Sequence, residues 1–318
     1  MESPAVLVAG ETLVDLLPDR PGPLASVERF TRRAGGAPAN VAIALARLDR
    51  APYFLTNVAE DAFGEFLVET LAENGVPDRF VRRDPDRRTT LAFVSHDETG
   101  DRSFSFYRTD TADTVLDAEM VGDDVLERVS YVSLGGVLLA SEPARSNVLA
   151  LAERAAGAGC TVAFDPNYRP ELWADPEEYA SVVDRMLELT DVVFASDDDV
   201  RPMGIPTDDP TGLGRALLDR GPHTVFTTLG QAGATVVATE AAPWDAGTAS
   251  HPGYEVETVD TTGAGDAFVA GVLASLADGE TDLSSVLAFA NRVAALTTTA
   301  DGAIEALPTR DAVAAFDA

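Results

Sequence analysis

The sequence runs to 318 residues and carries 53 Asp and Glu against 23 Lys and Arg, a formal net charge of −30 at pH 7. That charge repels a nucleic-acid backbone and an anionic membrane alike, so neither is an expected partner. The length buries a substantial core, and the single cysteine, Cys160, excludes an internal disulfide and fits a reducing, intracellular setting.

Apolar, strand-like runs recur along the chain, and each ends in glycine or a small polar residue. AVLVAG closes at Gly10, YVSLGG reaches Gly135, TVAFDPN passes Asp165, DVVFAS stops at Ser196 and TVFTTLG at Gly230. Between them lie helical patterns such as VAIALARL, EFLVETLAENG, RSNVLALAERAAGAG and ASVVDRMLELT. This alternation predicts one α/β domain, a doubly wound parallel sheet with helices on both faces. Ligands of such sheets sit beyond the carboxyl ends of the strands, which singles out the residues just after each run.

Two segments break the alternation. Residues 12–17 and about 27–32 are short and strand-like, and RTTLAFVSHDETGDRSFSFYRTD (88–110) reads as a hairpin turning at Glu98, Thr99, Gly100 and Asp101. Segments of about 12–32 and 88–110 together predict a small β-sheet projecting as a lid. Its exposed edges offer a way for two copies to pair as a homodimer.

Near the N-terminus, RRAGGAPANVAIALARL places Gly35 and Gly36 before a helix, where paired glycines let backbone approach a small polar ligand. Asn40 is read either as a hydrogen-bond partner of ligand hydroxyls or as the helix N-cap. Asp15, a lone acid among Leu13, Val14, Leu16 and Leu17, either takes two hydroxyls or faces water.

Near the C-terminus, DTTGAGDAFVAGVLASL opens an apolar helix with Gly263, Ala264 and Gly265, followed by Asp266. A helix start offers unpaired N–H groups and a positive dipole end to an anion such as phosphate. A carboxylate beside that phosphate repels it, yet it is what an attacking hydroxyl needs as proton acceptor. Asp266 is therefore read as a kinase base, the alternative being an ordinary first-turn acid. The sequence contains no lysine and no G-x-x-x-x-G-K-[ST], so charge on a transferring phosphoryl group must be balanced by Mg²⁺, backbone amides and arginine.

GGAPANVAIALARL and DTTGAGDAFVAGVL together resemble the two signature regions of the PfkB (ribokinase-like) carbohydrate kinase family, and the likeness spans nearly the whole chain. The resemblance implies a ribokinase-like sheet with a β-lid, ATP and Mg²⁺ as cofactors, and a small sugar as substrate. It makes Asp266 the base and Gly263, Ala264 and Gly265 the anion hole. TLGQAG resembles the nucleotide turn, giving Thr228, Gly230 and Gly233, and FANRVAALTTTADGAIEALP the adenine segment, giving Asn291 and Ala303. Asp260 and Thr262 match a loop beside which members hold a monovalent cation, here K⁺.

The family's N-x-x-E motif falls on SDDD, giving Ser196 for nucleotide binding and Asp199 as a shorter carboxylate that reaches Mg²⁺ through water. Asp15, Gly35, Gly36 and Asn40 become substrate contacts. FYRTDTAD and FDPNYRPELW look most like fructokinases and add Arg108, Asn167 and Arg169; kinases of 2-keto-3-deoxygluconate share an aromatic-arginine and an N-x-R pattern, so these arginines serve either a neutral sugar or a sugar-acid carboxylate.

Other chemistries lack support. His96, His223 and His251 show no metal-ligand spacing, and there is no G-x-S-x-G. The first apolar stretch is interrupted by Glu11 and Asp15, and no apolar run is long enough to span a membrane, so a cytoplasmic location is expected. Because every basic side chain is arginine amid dense carboxylates, that cytoplasm is read as a salty, halophilic one.

Overall fold

Side chains of a strand alternate between faces, so a strand covered on both sides must be apolar throughout. β1 (Val6–Ala9) follows this rule: Val6 and Val8 enter one apolar layer, Leu7 and Ala9 the other. The computed structural model describes residues 4–20, 22–96, 102–206 and 208–316. Its further strands are β2 (Leu13–Pro18), β3 (Phe30–Gly35), β4 (Tyr53–Ala59), β5 (Val81–Asp84), β6 (Leu91–His96), β7 (Arg102–Tyr107), β8 (Tyr131–Gly135), β9 (Thr161–Asp165), β10 (Val192–Ala195), β11 (Thr224–Thr228), β12 (Ala234–Ala238) and β13 (Gly247–His251).

Nine strands form one sheet in the order β13-β12-β11-β10-β9-β8-β1-β4-β5. Every neighbouring pair from β5 to β11 is parallel, as a doubly wound sheet requires. The sheet is not parallel throughout: β12 and β13 are added antiparallel at one edge. TLGQAG folds back on itself there, with Leu229 N donating to Gly233 O at 2.8 Å, so no crossover helix follows β11 directly. The helices Ala37–Arg47, Ala264–Ala277 and Leu283–Thr297 cover one face, and Ala144–Gly157, Pro176–Leu187 and Pro210–Leu218 the other. Ala264–Ala277 is buried from Ala267 to Leu276 because it lies between the sheet and two neighbouring helices, which is why its sequence is apolar all round. Among the described residues, no helix is long and apolar enough to cross a membrane.

The remaining strands form a four-stranded sheet, β3-β2-β6-β7, in which only β2 and β6 run parallel. The second strand falls at 30–35 and not at about 27–32, because the register Leu13↔Gly35 through Pro18↔Phe30 leaves residues 27–29 beyond the end of β2. The expected turn at 98–101 lies outside the described residues. Asp61 ties the two sheets together: it caps the Ala62–Glu73 helix through Phe63 N and Gly64 N, and accepts from Thr89 N at 3.0 Å and Thr89 Oγ1 at 2.7 Å, just before β6.

Candidate active site

A cleft of about 340 Å³ opens where the parallel strands end, with the small sheet as its other wall. Glu11 follows β1, Val137 follows β8, Asp165 ends β9, Ser196 follows β10 and Thr228 ends β11; Leu13, Asp15, Phe104 and Phe106 come from the small sheet.

Asp266 occupies the first turn of the Ala264–Ala277 helix and faces this cleft. Gly263 caps that helix at φ 78°, a left-handed conformation, and an added Cβ would come within 2.8 Å of Ala303 Cβ. Asn40 Nδ2 donates to Asp266 Oδ2 at 2.7 Å, and Asn40 Oδ1 is buried with no partner among the described residues. The N-cap alternative for Asn40 therefore falls. Gly36 holds the N-cap position at φ 102°, where a Cβ would press on the Glu11 carbonyl, and Asn40 lies one turn inside the helix. Burial pushes the Asp266 carboxyl up to about 6, against the opposing pull of the Asn40 hydrogen bond and the Arg169 charge. The result is a carboxylate steadied at one oxygen, with no ion pair among the described residues to mask it.

At the helix start, Ala264 N turns back to Thr261 O at 3.3 Å, whereas the amides of Gly265 and Asp266 meet no backbone carbonyl among the described residues. A Cβ built on Gly265 would meet nothing within 4 Å, so the backbone here is open to the cleft. Asp260 shapes the preceding turn: Oδ1 accepts from Thr262 N at 2.9 Å and Thr262 Oγ1 at 2.6 Å, and Oδ2 accepts from Gly302 N at 3.0 Å.

Asp15, Gly36, Asn40, Asn167, Arg169, Ser196, Asp199, Thr228, Thr262, Gly263, Gly265 and Asp266 line the cleft together. Gly35 backs it, since a side chain there would collide with the Asp15 carboxylate. Asn167 adopts φ 45° and donates its amide to Asp165 Oδ1 at 3.1 Å. Arg169 donates to the Tyr168 carbonyl at 2.9 Å, with its guanidinium 5.8 Å from the Phe104 ring centre. Asp199 closes a capping box: Oδ2 accepts from Ser196 N at 2.8 Å and Ser196 Oγ at 2.6 Å, while Oδ1 accepts from Tyr168 N at 2.8 Å. Its two oxygens thus hold the turn after β10 against the segment after β9.

Ala264, Gly230, Gly233, Asp260, Asn291, Ala303 and Arg108 are not on the cleft surface. Asn291 is 6% exposed, and its Nδ2 donates to Leu287 O at 2.8 Å inside its own helix. Arg108 is also buried: Nε pairs with Asp113 Oδ2 at 2.7 Å and Nη1 with Val137 O at 3.2 Å. Glu11 is a residue that sequence reasoning missed. It is 2% exposed, its Oε2 has no partner among the described residues, and burial pushes its carboxyl up to about 7. Its position directly after Gly10 at a strand end was the available signal. Asp165 was noticed only as a strand end; burial, then Asp199 and Asp266, push its carboxyl up as well. Among the described residues, no group of three or more His, Cys, Asp or Glu is arranged to hold a metal ion.

The family model described as "pfkB family carbohydrate kinase" matches residues 3–310. The fructokinase of Klebsiella pneumoniae is 38% identical over 312 residues, covering 96% of this chain and 97% of its own. Probable fructokinase-6, chloroplastic, of Arabidopsis thaliana is 36% identical, covering 98% and 82%. Among solved structures, fructokinase with bound ATP from Xylella fastidiosa superposes with a TM-score of 0.85 at 31% identity, covering 97% of this chain and 96% of that one. Fructokinase from Vibrio cholerae O395 in its fructose, ADP and calcium ion bound form gives 0.85 at 34% identity, covering 98% of each. A family match over almost the full length agrees with the nine-stranded sheet and its small companion, and the chain belongs to the pfkB family of carbohydrate kinases, with the ribokinase-like fold.

Proposed function

We propose that this kinase transfers the γ-phosphate of ATP to fructose, giving fructose 6-phosphate. The observation that carries the reading is Asp266, steadied by Asn40 at 2.7 Å and set at a helix start whose first amides open on the cleft. The sugar lies against Asp15, Gly36 and Asn40. Asp266 accepts the proton of the attacking hydroxyl as that oxygen bonds to phosphorus, and the Gly265 and Asp266 amides hold the phosphoryl oxygens. Phe104 and Phe106 of the small sheet, acting as a lid, exclude the water that would otherwise hydrolyse ATP.

Asp165 and Asp199 are the cleft carboxylates that would face Mg²⁺ brought in with ATP, which would supply neutralisation of the phosphate charge. Asp260 and Thr262 are the proposed neighbours of K⁺. Relatives support the choice of ligands: the Vibrio cholerae enzyme is solved with fructose and ADP, together with calcium in one structure and potassium in another. A cytoplasmic location and pairing of two copies through the small sheet belong to the same proposal.

A second reading, phosphorylation of 2-keto-3-deoxygluconate, is favoured by Arg169, which lines the cleft with no ion pair to a carboxylate among the described residues. One assay separates the two: ADP release with Mg-ATP in concentrated KCl, with fructose, glucose, ribose, adenosine, 2-keto-3-deoxygluconate and fructose 1-phosphate in parallel. Fructose is expected to give the highest kcat/KM; a preference for the sugar acid replaces the fructose reading.

Two further outcomes are expected. Gly265→Ala places a methyl group in open space, so the fold is kept and helix propensity raises stability by about 0.5–1 kcal/mol. That methyl stands where the phosphoryl group must approach, and turnover falls by roughly 10²-fold, the loss typical of an impaired oxyanion site. Thermal melting together with steady-state kinetics reads both. The −30 charge should also make the melting temperature climb with KCl from about 0.1 M to about 2 M, as screening relieves repulsion among carboxylates. A flat melting curve would remove the halophilic reading.

A further inference from the structure

β6 and β7 meet at their roots, where Leu91 pairs with Tyr107. Thr90 stands one residue before that pair and Arg108 one residue after it, and the carboxylate of Asp113 holds both. Oδ2 accepts from Arg108 Nε at 2.7 Å, while Oδ1 accepts from Thr90 Oγ1 and, at 2.8 Å, from Thr111 Oγ1. The Thr90 carbonyl in turn accepts from Val14 N at 3.1 Å, which fixes β2 at the same point. Asp113 belongs to the other side of this joint. It lies in the short turn Ala112–Val115, whose Val115 carbonyl accepts from Asn57 Nδ2 of β4 at 2.8 Å, and the next residue, Leu116, is buried in an apolar layer of the large sheet. Arg108 makes a second contact with that side, Nη1 donating at 3.2 Å to the carbonyl of Val137 just beyond β8. Thr90, Arg108, Thr111 and Asp113 are all buried.

We propose that Asp113 and Arg108 are positioning residues, a clasp that fixes the root of the small sheet to the large one and so holds Asp15, Phe104 and Phe106 over the sugar end of the cleft. This inference rests on the lid reading above and deepens it. Phe104 stands four residues along β7 from Arg108, about 13 Å, so a tilt at the root grows on its way to the ring. Charge-assisted hydrogen bonds shielded from water resist such a tilt more firmly than exposed ones. One carboxylate serves three donors and one guanidinium reaches two acceptors, so all three strands carrying cleft residues of the small sheet or their neighbours, β2, β6 and β7, are set by this joint. A loosened root leaves the sugar poorly placed and lets water reach the γ-phosphate, giving ADP and inorganic phosphate with no sugar phosphate.

The test compares wild type with Asp113→Asn and Arg108→Lys, using the sugar preferred in the six-substrate assay. An Asn at 113 can still accept from Arg108 Nε but loses the charge. A Lys at 108 keeps the charge but offers one ammonium in place of a fork that spans Asp113 and Val137. In both, KM for the sugar should rise by about 10-fold or more, and the share of ADP released without sugar phosphate should rise with it. KM for ATP should stay within about 2-fold, because the amides of Gly265 and Asp266 are not on the small sheet. Hydrogen exchange supplies the structural readout: wild-type amides of β6 and β7 should gain protection when the sugar and a non-hydrolysable ATP analogue bind together, and the variants should lose most of that gain.

Because weakening a buried pair destabilises, melting is recorded for each variant. Thr90→Val removes a single bond to Asp113 and leaves the ion pair, so it reads the clasp even where the other variants do not fold; its sugar KM should rise by about 3-fold or more. Folded variants that melt lower yet keep the wild-type sugar KM and release one ADP per sugar phosphate overturn the clasp, since the pair then only stabilises. Failure of the lid reading looks different, as a wild type whose β6 and β7 amides gain no protection on binding, and it removes the clasp as well.

Discussion

Asp266→Asn is expected to lower turnover by about 10²- to 10⁴-fold while leaving ATP affinity nearly unchanged. The amide is close to the carboxylate in size, and its oxygen can still accept from Asn40 Nδ2, which holds Oδ2 at 2.7 Å in the native chain. Geometry is thus kept and only proton acceptance is lost. The same variant carries its own structural control. Burial raises the Asp266 carboxyl to about 6, above the ordinary 3.8, so the folded state binds the proton more tightly than the unfolded chain does. As pH rises from about 4 to about 6 the native protein loses stability through this group, and the loss is complete above about 6. Asp266→Asn escapes it and should melt above wild type at pH 8, with the difference shrinking towards pH 4. Kinetics at saturating ATP, calorimetric ATP titration and melting at both pH values measure all three. Activity within a few fold of wild type would mean that another group, Asp165 first among them, takes the proton.

Local signals carried much of this structure and distance hid the rest. β1, β9 and β10 were legible because strands covered on both faces are written as apolar runs. β8 and β11 were read the same way because Ser133 and the threonines of β11 are small and flank apolar residues that end in glycine turns. β4 was missed because YFLTNVA interrupts its run with Thr56 and Asn57, both fully buried; Asn57 donates to Val115 O at 2.8 Å, a partner no local pattern reveals. β13, GTASH, is an edge strand with no buried residue, and β5 is a four-residue edge with two exposed arginines, so neither carries an apolar signature.

The glycine turn and Asp266 stood out because four adjacent residues state that chemistry. The link from Asn40 to Asp266 spans 226 positions and was not among the readings of Asn40, which were a partner for ligand hydroxyls and a helix cap. Arg108 shows the opposite case: its acid partner lies five residues away in FYRTDTAD, yet nothing in the sequence says whether that guanidinium meets a neighbour or a ligand.

The distant link sets the second large effect. Asn40→Ala removes the donor that favours ionised Asp266, so burial acts on the carboxyl with less opposition and its pKa rises further. In the native enzyme kcat/KM should fall about tenfold per pH unit once pH drops below about 6, since a protonated Asp266 cannot accept the substrate proton. In Asn40→Ala that acid limb should move to higher pH, and activity near pH 6.5 should drop by roughly 10- to 100-fold, no more than the low end of the roughly 10²- to 10⁴-fold that general-base catalysis contributes in full. Near pH 8.5 the deficit should narrow, because the base ionises there even without the amide. This recovery tells the two roles of Asn40 apart. If its buried Oδ1 also receives a sugar hydroxyl, removing the side chain raises KM for the sugar at every pH, and that part of the loss persists when the base is fully ionised. A pH profile of kcat beside one of kcat/KM therefore separates positioning of the base from binding of the sugar. An acid limb that stays where it is in wild type would show that the 2.7 Å contact does not set the protonation of the base.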